Sequence, residues 1–202
     1  KEAILSRPAP PDVPPTRAAD EIRDPLVLEF LGLKDEYSES DLEEALRKEG
    51  LPLRSLETAT PLDRFDIVGF SLLYELNASN ILTMLDLGRI PLLAEERTAD
   101  QPLIIAGGPS AFNPEPLAAI FDLFLIGDGE EAFPEIVERL VEIKASTRDR
   151  RRLVEGLAGI RGVYVPSLYE ARQAGAAGLQ AVTARPGAPA RMTMASSETR
   201  AD

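Results

Sequence analysis

The most regular pattern in this chain is a series of short, uninterrupted apolar runs, each followed by a segment with helical spacing. The runs cover residues 66–73, 103–106 and 123–126. Continuous apolar runs of this length are typical of strands buried on both faces, as in parallel sheets. We therefore predict an α/β protein with a doubly wound, mostly parallel sheet of the Rossmann or flavodoxin-like kind.

Helices are predicted between and after these strands, where apolar residues recur every three or four positions. The segments are 81–88, a short one at 116–121 and a long one at 130–144. A further amphipathic helix at 149–157 leads to a short apolar segment at 163–165. Strands and helices that alternate at this spacing imply right-handed crossovers in a parallel sheet.

The two ends of the chain lack this alternation. Residues 1–48 are predicted to form a proline-rich arm with an apolar run at 26–31 and a short acidic helix at 41–48. Residues 171–202 carry small and polar residues without periodicity, which indicates a disordered tail. The α/β domain is accordingly predicted to span residues 49–170.

Composition limits the chemistry because the chain contains no cysteine and no histidine. It offers no thiolate for an iron–sulfur cluster and no imidazole for a catalytic base or a metal. We therefore predict no metal site and no catalytic residues in this chain. The formal net charge of −12 at pH 7 also weighs against nucleic-acid binding.

One basic cluster stands out against this acidic background, at the start of the predicted helix 149–157. Its members are Arg148, Arg150, Arg151 and Arg152. We interpret the cluster as a solvated helical face. No apolar run reaches the roughly 18 residues of a membrane-spanning helix, so we expect a cytoplasmic protein without a membrane partner.

Candidate ligand contacts lie in two glycine-rich loops that directly follow predicted strands. Ligands of open α/β sheets bind beyond the carboxyl ends of the strands, where glycine lets the backbone approach them closely. The carboxylates of the second loop favour hydroxyl or amide contacts over a bare phosphate. Alternatively, the glycines serve only tight turns. The candidate cofactor-binding residues are Ser71, Gly107, Gly108, Pro109, Ser110, Gly127, Asp128, Gly129 and Glu130.

These loops and their strands resemble the N-terminal region of a family of radical S-adenosylmethionine (radical SAM) proteins. The resemblance runs from about residue 49 to residue 170 and is carried by segments 65–72, 106–116, 125–131 and 162–167. In that family, a cobalamin-binding-like α/β domain precedes the catalytic barrel. The resemblance therefore implies an accessory domain with cobalamin as a small-molecule cofactor, contacted only at its periphery because histidine is absent.

The same resemblance implies that the first strand of the domain is missing before residue 49. In the flavodoxin-like order, that strand would lie between an edge strand at 51–56 and the strand at 66–73. Its loss would expose a sheet edge, weaken or abolish cobalamin binding and favour self-association, unless the run at 26–31 substitutes for it.

Residues 25–45 resemble a different family, the entry of a PD-(D/E)xK nuclease-like domain in bacterial proteins of uncertain role. This similarity stops before the catalytic carboxylates that such nucleases need. Three hypotheses stay open: a ligand-binding accessory domain, a nuclease-like or DNA-associated protein, and a relic of a gene fusion that binds nothing.

Overall fold

A computed structural model shows a five-stranded sheet with helices on both faces. The strands are β1 (Leu26–Leu28), β2 (Ile67–Ser71), β3 (Leu103–Gly107), β4 (Leu123–Leu125) and β5 (Val163–Tyr164). They lie side by side in chain order; the first four are parallel and β5 is antiparallel to β4. The predicted fold class, an α/β protein with a mostly parallel sheet, is confirmed. The structure describes residues 26–28, 50, 52–55, 57–58, 60–74, 77–173, 179–189 and 193–195.

The expectation that the first strand is missing is wrong, because β1 pairs with β2 at the position where that strand was expected. Leu26 pairs with Val68 and Leu28 with Phe70 in parallel register. Residues 26–28 of the apolar run at 26–31 therefore substitute for the missing strand, as the alternative allowed, and the rest of the run lies outside the described residues. The predicted edge strand at 51–56 is reduced to an isolated bridge between Arg54 and Pro61. The expected self-association required an unpaired edge of β2. Because β1 pairs with that edge, the main reason to expect self-association is removed.

Within the described residues, three α-helices cover the sheet: α1 (Asn77–Leu87), α2 (Gly129–Ser146) and α3 (Arg150–Glu155). Alternate residues of each strand point to opposite faces, so each strand contributes to two cores. One core joins Ile67, Leu103, Ile105 and Leu123 to helices α2 and α3. The other joins Val68, Phe70, Ile104 and Phe124 to α1.

The connection from β3 to β4 differs from the helix predicted at 116–121. It consists of two short 3₁₀ turns, Pro109–Phe112 and Glu115–Leu117. Prolines at 109, 114 and 116 remove backbone N–H donors at close intervals, which prevents an α-helix from extending through the whole connection, and the proline-free part after residue 116 is only about one turn long. The polypeptide therefore returns along the sheet as a series of turns.

Regular backbone continues into the segment that was expected to be disordered. Strands β6 (Tyr169–Gln173) and β7 (Leu179–Ala184) form an antiparallel hairpin, and Ala195 makes a parallel bridge with Gly127. The predicted acidic helix at 41–48 lies outside the described residues. Within the described part, no helix has both the length and the apolar character needed to cross a bilayer.

Candidate functional site

The predicted ligand loops meet at the carboxyl end of the sheet. Ser71, the last residue of β2, pairs in register with Gly107, the last residue of β3. A Cβ built on Gly107 would lie 3.8 Å from the carbonyl oxygen of Leu125, at the end of β4. Three consecutive strand ends therefore bring both glycine loops to one edge.

The first loop is shaped by a close approach between Gly108 and the backbone of Leu72. Gly108 has φ 97° and ψ −179°, a conformation almost restricted to glycine. A Cβ there would lie 3.0 Å from the Leu72 oxygen. The Leu72 amide donates to the Gly107 oxygen at 2.7 Å, and the Ser110 amide donates to the Leu72 oxygen at 2.9 Å. Gly108 is thus required by the turn itself, whether or not a ligand binds, while Pro109 beside it is exposed.

The second loop is shaped by a segment from far along the chain. Gly127 has φ 105°, and a Cβ built on it would lie 2.1 Å from the Ala195 oxygen. The Ala195 amide donates to the Ile126 oxygen at 2.9 Å, and the Asp128 amide donates to the Ala195 oxygen at 3.0 Å. The space that glycine opens at this strand end is therefore filled by the protein's own backbone.

Helix α2 begins at the same edge and brings carboxylates to it. Asp128 is the N-cap residue, although its side chain accepts no capping hydrogen bond, and Glu130 lies exposed in the first turn. A Cβ on Gly129 would meet Leu125 Cδ2 at 3.3 Å, so this glycine also packs closely. Negative charge at the helix start repels a bare phosphate but can accept hydrogen bonds from amides and hydroxyls.

Exposed apolar side chains are a feature of this edge that the sequence prediction assigned only in part. Leu73 is 56% exposed and Tyr74 53%, just after β2, and Phe112 is 57% exposed in the loop after β3. Leu73 was predicted to lie in a buried strand, but β2 ends at Ser71, and Phe112 was not predicted as a contact. The edge therefore offers apolar contacts beside the polar ones.

A family model described as "Radical SAM proteins, N-terminal" matches residues 36–166, more than half of the chain. The chain belongs to this family. The match begins earlier than the boundary at residue 49 that the sequence suggested, so it includes part of the arm. It supports the relation to radical SAM proteins, while the cobalamin-binding character of the domain rests on the resemblance alone.

A second similarity concerns a short stretch only. The chain is 60% identical over 48 residues to the protein named "Putative nuclease YhcG" from Escherichia coli (strain K12), which is 23% of this chain and 12% of that protein. The chain thus spans a small part of this curated relative. No solved structure matches the chain.

The opposite end of this radical SAM N-terminal domain holds a buried ionic cluster. Asp122, immediately before β4, accepts hydrogen bonds from Arg97 at 2.9 Å, from Arg150 at 2.8 Å and from the Ile104 amide at 2.8 Å. The Arg97 side chain is fully buried and that of Asp122 is 3% exposed. Burial lowers the pKa of Arg97 from its usual value, and Asp122 opposes that shift. The cluster fixes the entry to β4.

Arg150 corrects the interpretation of the basic cluster as a solvated face. Besides Asp122, its guanidinium donates to the backbone oxygens of Thr98, Gln101 and Pro102 at 2.7–2.9 Å. Its neighbour Arg151, by contrast, stays exposed. The sequence could not separate them because the partners of Arg150 lie on other elements.

A cavity of about 580 Å³ opens beside this cluster, between α3 and the β6–β7 hairpin. Glu115, Ser167, Tyr169 and Arg185 contribute to its walls. The partly buried Tyr164 hydroxyl donates to the carboxylate of Glu115, one of these wall residues. Burial, strengthened by this hydrogen bond, raises the pKa of Tyr164 above its usual range. None of the candidate site residues lines this cavity, and no group of three or more metal-ligating side chains occurs among the described residues.

Proposed function

We propose that this chain is a non-catalytic accessory domain of a radical SAM protein, which holds a small ligand at the carboxyl end of its sheet. The family match supports the relation to radical SAM proteins. The observation that carries the ligand proposal is the convergence of Ser71, Gly107 and the Gly127 loop at three adjacent strand ends. We describe the chain as non-catalytic because its sequence contains no cysteine to hold the iron–sulfur cluster of a radical SAM enzyme.

Cobalamin is the ligand that we propose for this edge. Its many peripheral amides suit the hydroxyls of Ser71 and Ser110 and the carboxylates of Asp128 and Glu130 as hydrogen-bond partners. The exposed Leu73 and Phe112 would cover its apolar surface. Bound cobalamin supplies the chemistry of its cobalt, whereas this chain, lacking histidine, contributes binding and orientation alone.

Binding of hydroxocobalamin, followed by calorimetry and by its visible spectrum, tests this proposal. The informative variant is Gly107→Val, because a Cβ at Gly107 meets only ordinary contact distances, whereas a substitution at Gly108 strains the turn. We expect Gly107→Val to weaken binding by about tenfold or more, since valine would stand where the ligand approaches.

The matched control is Gly159→Val, at an exposed glycine whose Cβ would meet nothing within 4 Å. It should bind like the wild type. If the wild type shows no binding, or if both variants bind equally well, the proposed ligand edge is wrong.

The similarity to YhcG supports a second candidate, a nuclease-like role. We rank it lower because the match covers 12% of that protein and because the chain carries a net charge of −12. Linear DNA incubated with the purified protein and Mg²⁺ should stay intact. Cleavage that a chelator abolishes, and that persists through further purification, would reverse this ranking.

A further inference from the structure

A short extended segment crosses the candidate edge, and its contacts are made almost entirely by backbone. We call residues 193–195 the strap. Its Ala195 is bonded on both sides, to the Ile126 oxygen and to the Asp128 amide. The Thr193 oxygen accepts from the Gly162 amide at 2.8 Å, and the Met194 oxygen accepts from Arg161 Nε at 2.9 Å.

The groove beneath the strap is built from two glycines that belong to different loops. Gly127 and Gly162 have φ 105° and 84°, and a Cβ on either would collide with Ala195, at 2.1 Å and 2.7 Å. The strap therefore excludes a side chain at Gly127, whereas at Gly162 the Ile126 oxygen, 2.9 Å from such a Cβ, excludes one as well. On the strap, Ala195 faces the groove and is 9% exposed, whereas Met194 is 56% exposed.

We infer that the two loops around Gly127 and Gly162 form a docking groove for an extended peptide with a small central residue, and that the strap occupies it as a separable segment. Recognition through main-chain hydrogen bonds is typical of strand addition, in which pockets at alternate side chains give specificity. Among the strap residues only the methyl group of Ala195 is buried. The groove should therefore select an extended backbone that carries alanine at this position.

One small side chain anchors the strap, because the methyl group of Ala195 packs into the core cluster beside β4 and β5; we infer that this contact is weak enough for the strap to separate. Thr193 and Met194 are both exposed, and the strap's backbone bonds reach Gly127's neighbours Ile126 and Asp128 and the Gly162 amide. Releasing it would free the Asp128 amide, a donor at the start of α2. Any effect of strap release on ligand binding rests on the proposed function, whereas the inferred peptide groove is independent of it.

Hydrogen exchange of the wild-type chain tests the separation. The Ala195 and Asp128 amides should exchange together, at least about tenfold faster than the Asp122 amide, which donates to the Ile104 oxygen inside the sheet. Exchange of all three amides at one common rate would overturn the inference, because the strap would then open only with the whole domain.

A labelled peptide with the sequence of residues 191–198 tests the groove in trans. It should bind the Ala195→Pro chain, whose own strap has lost the amide that bonds to Ile126, and should bind the wild type at least about tenfold more weakly. The same peptide carrying proline in place of alanine is the control, and it should not bind. Failure of the alanine peptide to bind a folded Ala195→Pro chain, or equal binding of both peptides, contradicts the inference.

Hydroxocobalamin provides a separate readout of what the strap controls. If the proposed ligand edge is right, Ala195→Pro should bind it more tightly than the wild type, while Met194→Ala, which leaves every strap bond in place, should not differ. Absence of binding by all three chains would count against the proposed function alone, because the peptide and exchange measurements decide the strap.

Discussion

The two ends of the sheet are closed in different ways. At the amino end of β4, Asp122 and two arginines form a buried cluster, in which Arg150 donates to three backbone oxygens as well as to Asp122. At the carboxyl end, glycines 108 and 127 let backbone approach backbone, and apolar side chains stay exposed. Charges at the first end are paired within the protein, whereas the second end exposes surface that we propose for a ligand or a peptide.

The largest loss of stability is expected from removing the charge at the amino end. Asp122→Asn keeps the side-chain size but leaves the buried Arg97 and the largely buried Arg150 without their carboxylate, which should cost about 3–5 kcal/mol of unfolding free energy. Urea denaturation measures this cost.

Asp100→Asn is the matched control for this change. Asp100 pairs with Arg148 at 3.4 Å, and both side chains are more than 80% exposed. Exposed pairs contribute little, so this variant should unfold at nearly the wild-type urea concentration. If the two variants are equally stable, the buried cluster does not hold the amino end.

At the carboxyl end, Gly108→Ala should be the more damaging of two glycine substitutions. Leu72 is 2% exposed and cannot move away from an added Cβ, and the backbone conformation of Gly108 is itself costly for alanine. We expect a loss of about 2–3 kcal/mol. Gly107→Ala, one residue earlier with 3.8 Å of clearance, is the control and should stay close to wild type.

Gly127→Ala should cost less than Gly108→Ala, although its Cβ would overlap its neighbour far more, at 2.1 Å against 3.0 Å. Ala195 and Leu72 both pack in a core cluster, but Ala195 contributes only a methyl group and belongs to the strap, which we infer to be separable, whereas Leu72 directly follows β2. We expect about 1–2 kcal/mol, part of it from the positive φ alone.

Gly187→Ala measures that backbone contribution separately, because Gly187 has φ 91° and open space around it. The difference between the two variants in urea denaturation then gives the contribution of the docked strap. A Gly127→Ala loss larger than that of Gly108→Ala would show that the strap is as firmly held as the core.

Prediction from the sequence was most accurate for strands whose own residues form a recognisable apolar run. Strands β2, β3 and β4 are buried on both faces, so each is a continuous apolar run that local inspection detects. The glycines at 108 and 127 were also identified as special, but the reason for Gly127 lies in Ala195, which no local pattern connects to it. Burial of Arg150 and pairing of β1 with β2 likewise depend on partners brought together only by the fold.

The smallest effect we predict concerns pH. The pKa of Tyr164 is raised, first by burial and then by its hydrogen bond to Glu115, so the folded state binds the hydroxyl proton more tightly than the unfolded state does. The stabilisation is therefore complete below the ordinary tyrosine pKa of about 10 and decreases as the pH rises above it.

Urea denaturation between about pH 8 and pH 11 should show this as a falling unfolding free energy, with a shallower fall in Tyr164→Phe. Some slope should remain, because burial also raises the pKa of Tyr169, whose ring centroid lies 4.8 Å from that of Tyr164. Tyr74→Phe, at an exposed position, is the control and should keep the wild-type slope. Identical slopes in the wild type and Tyr164→Phe would mean that the hydroxyl is not protected in the folded protein, and that the cavity wall formed by Glu115 is open to solvent.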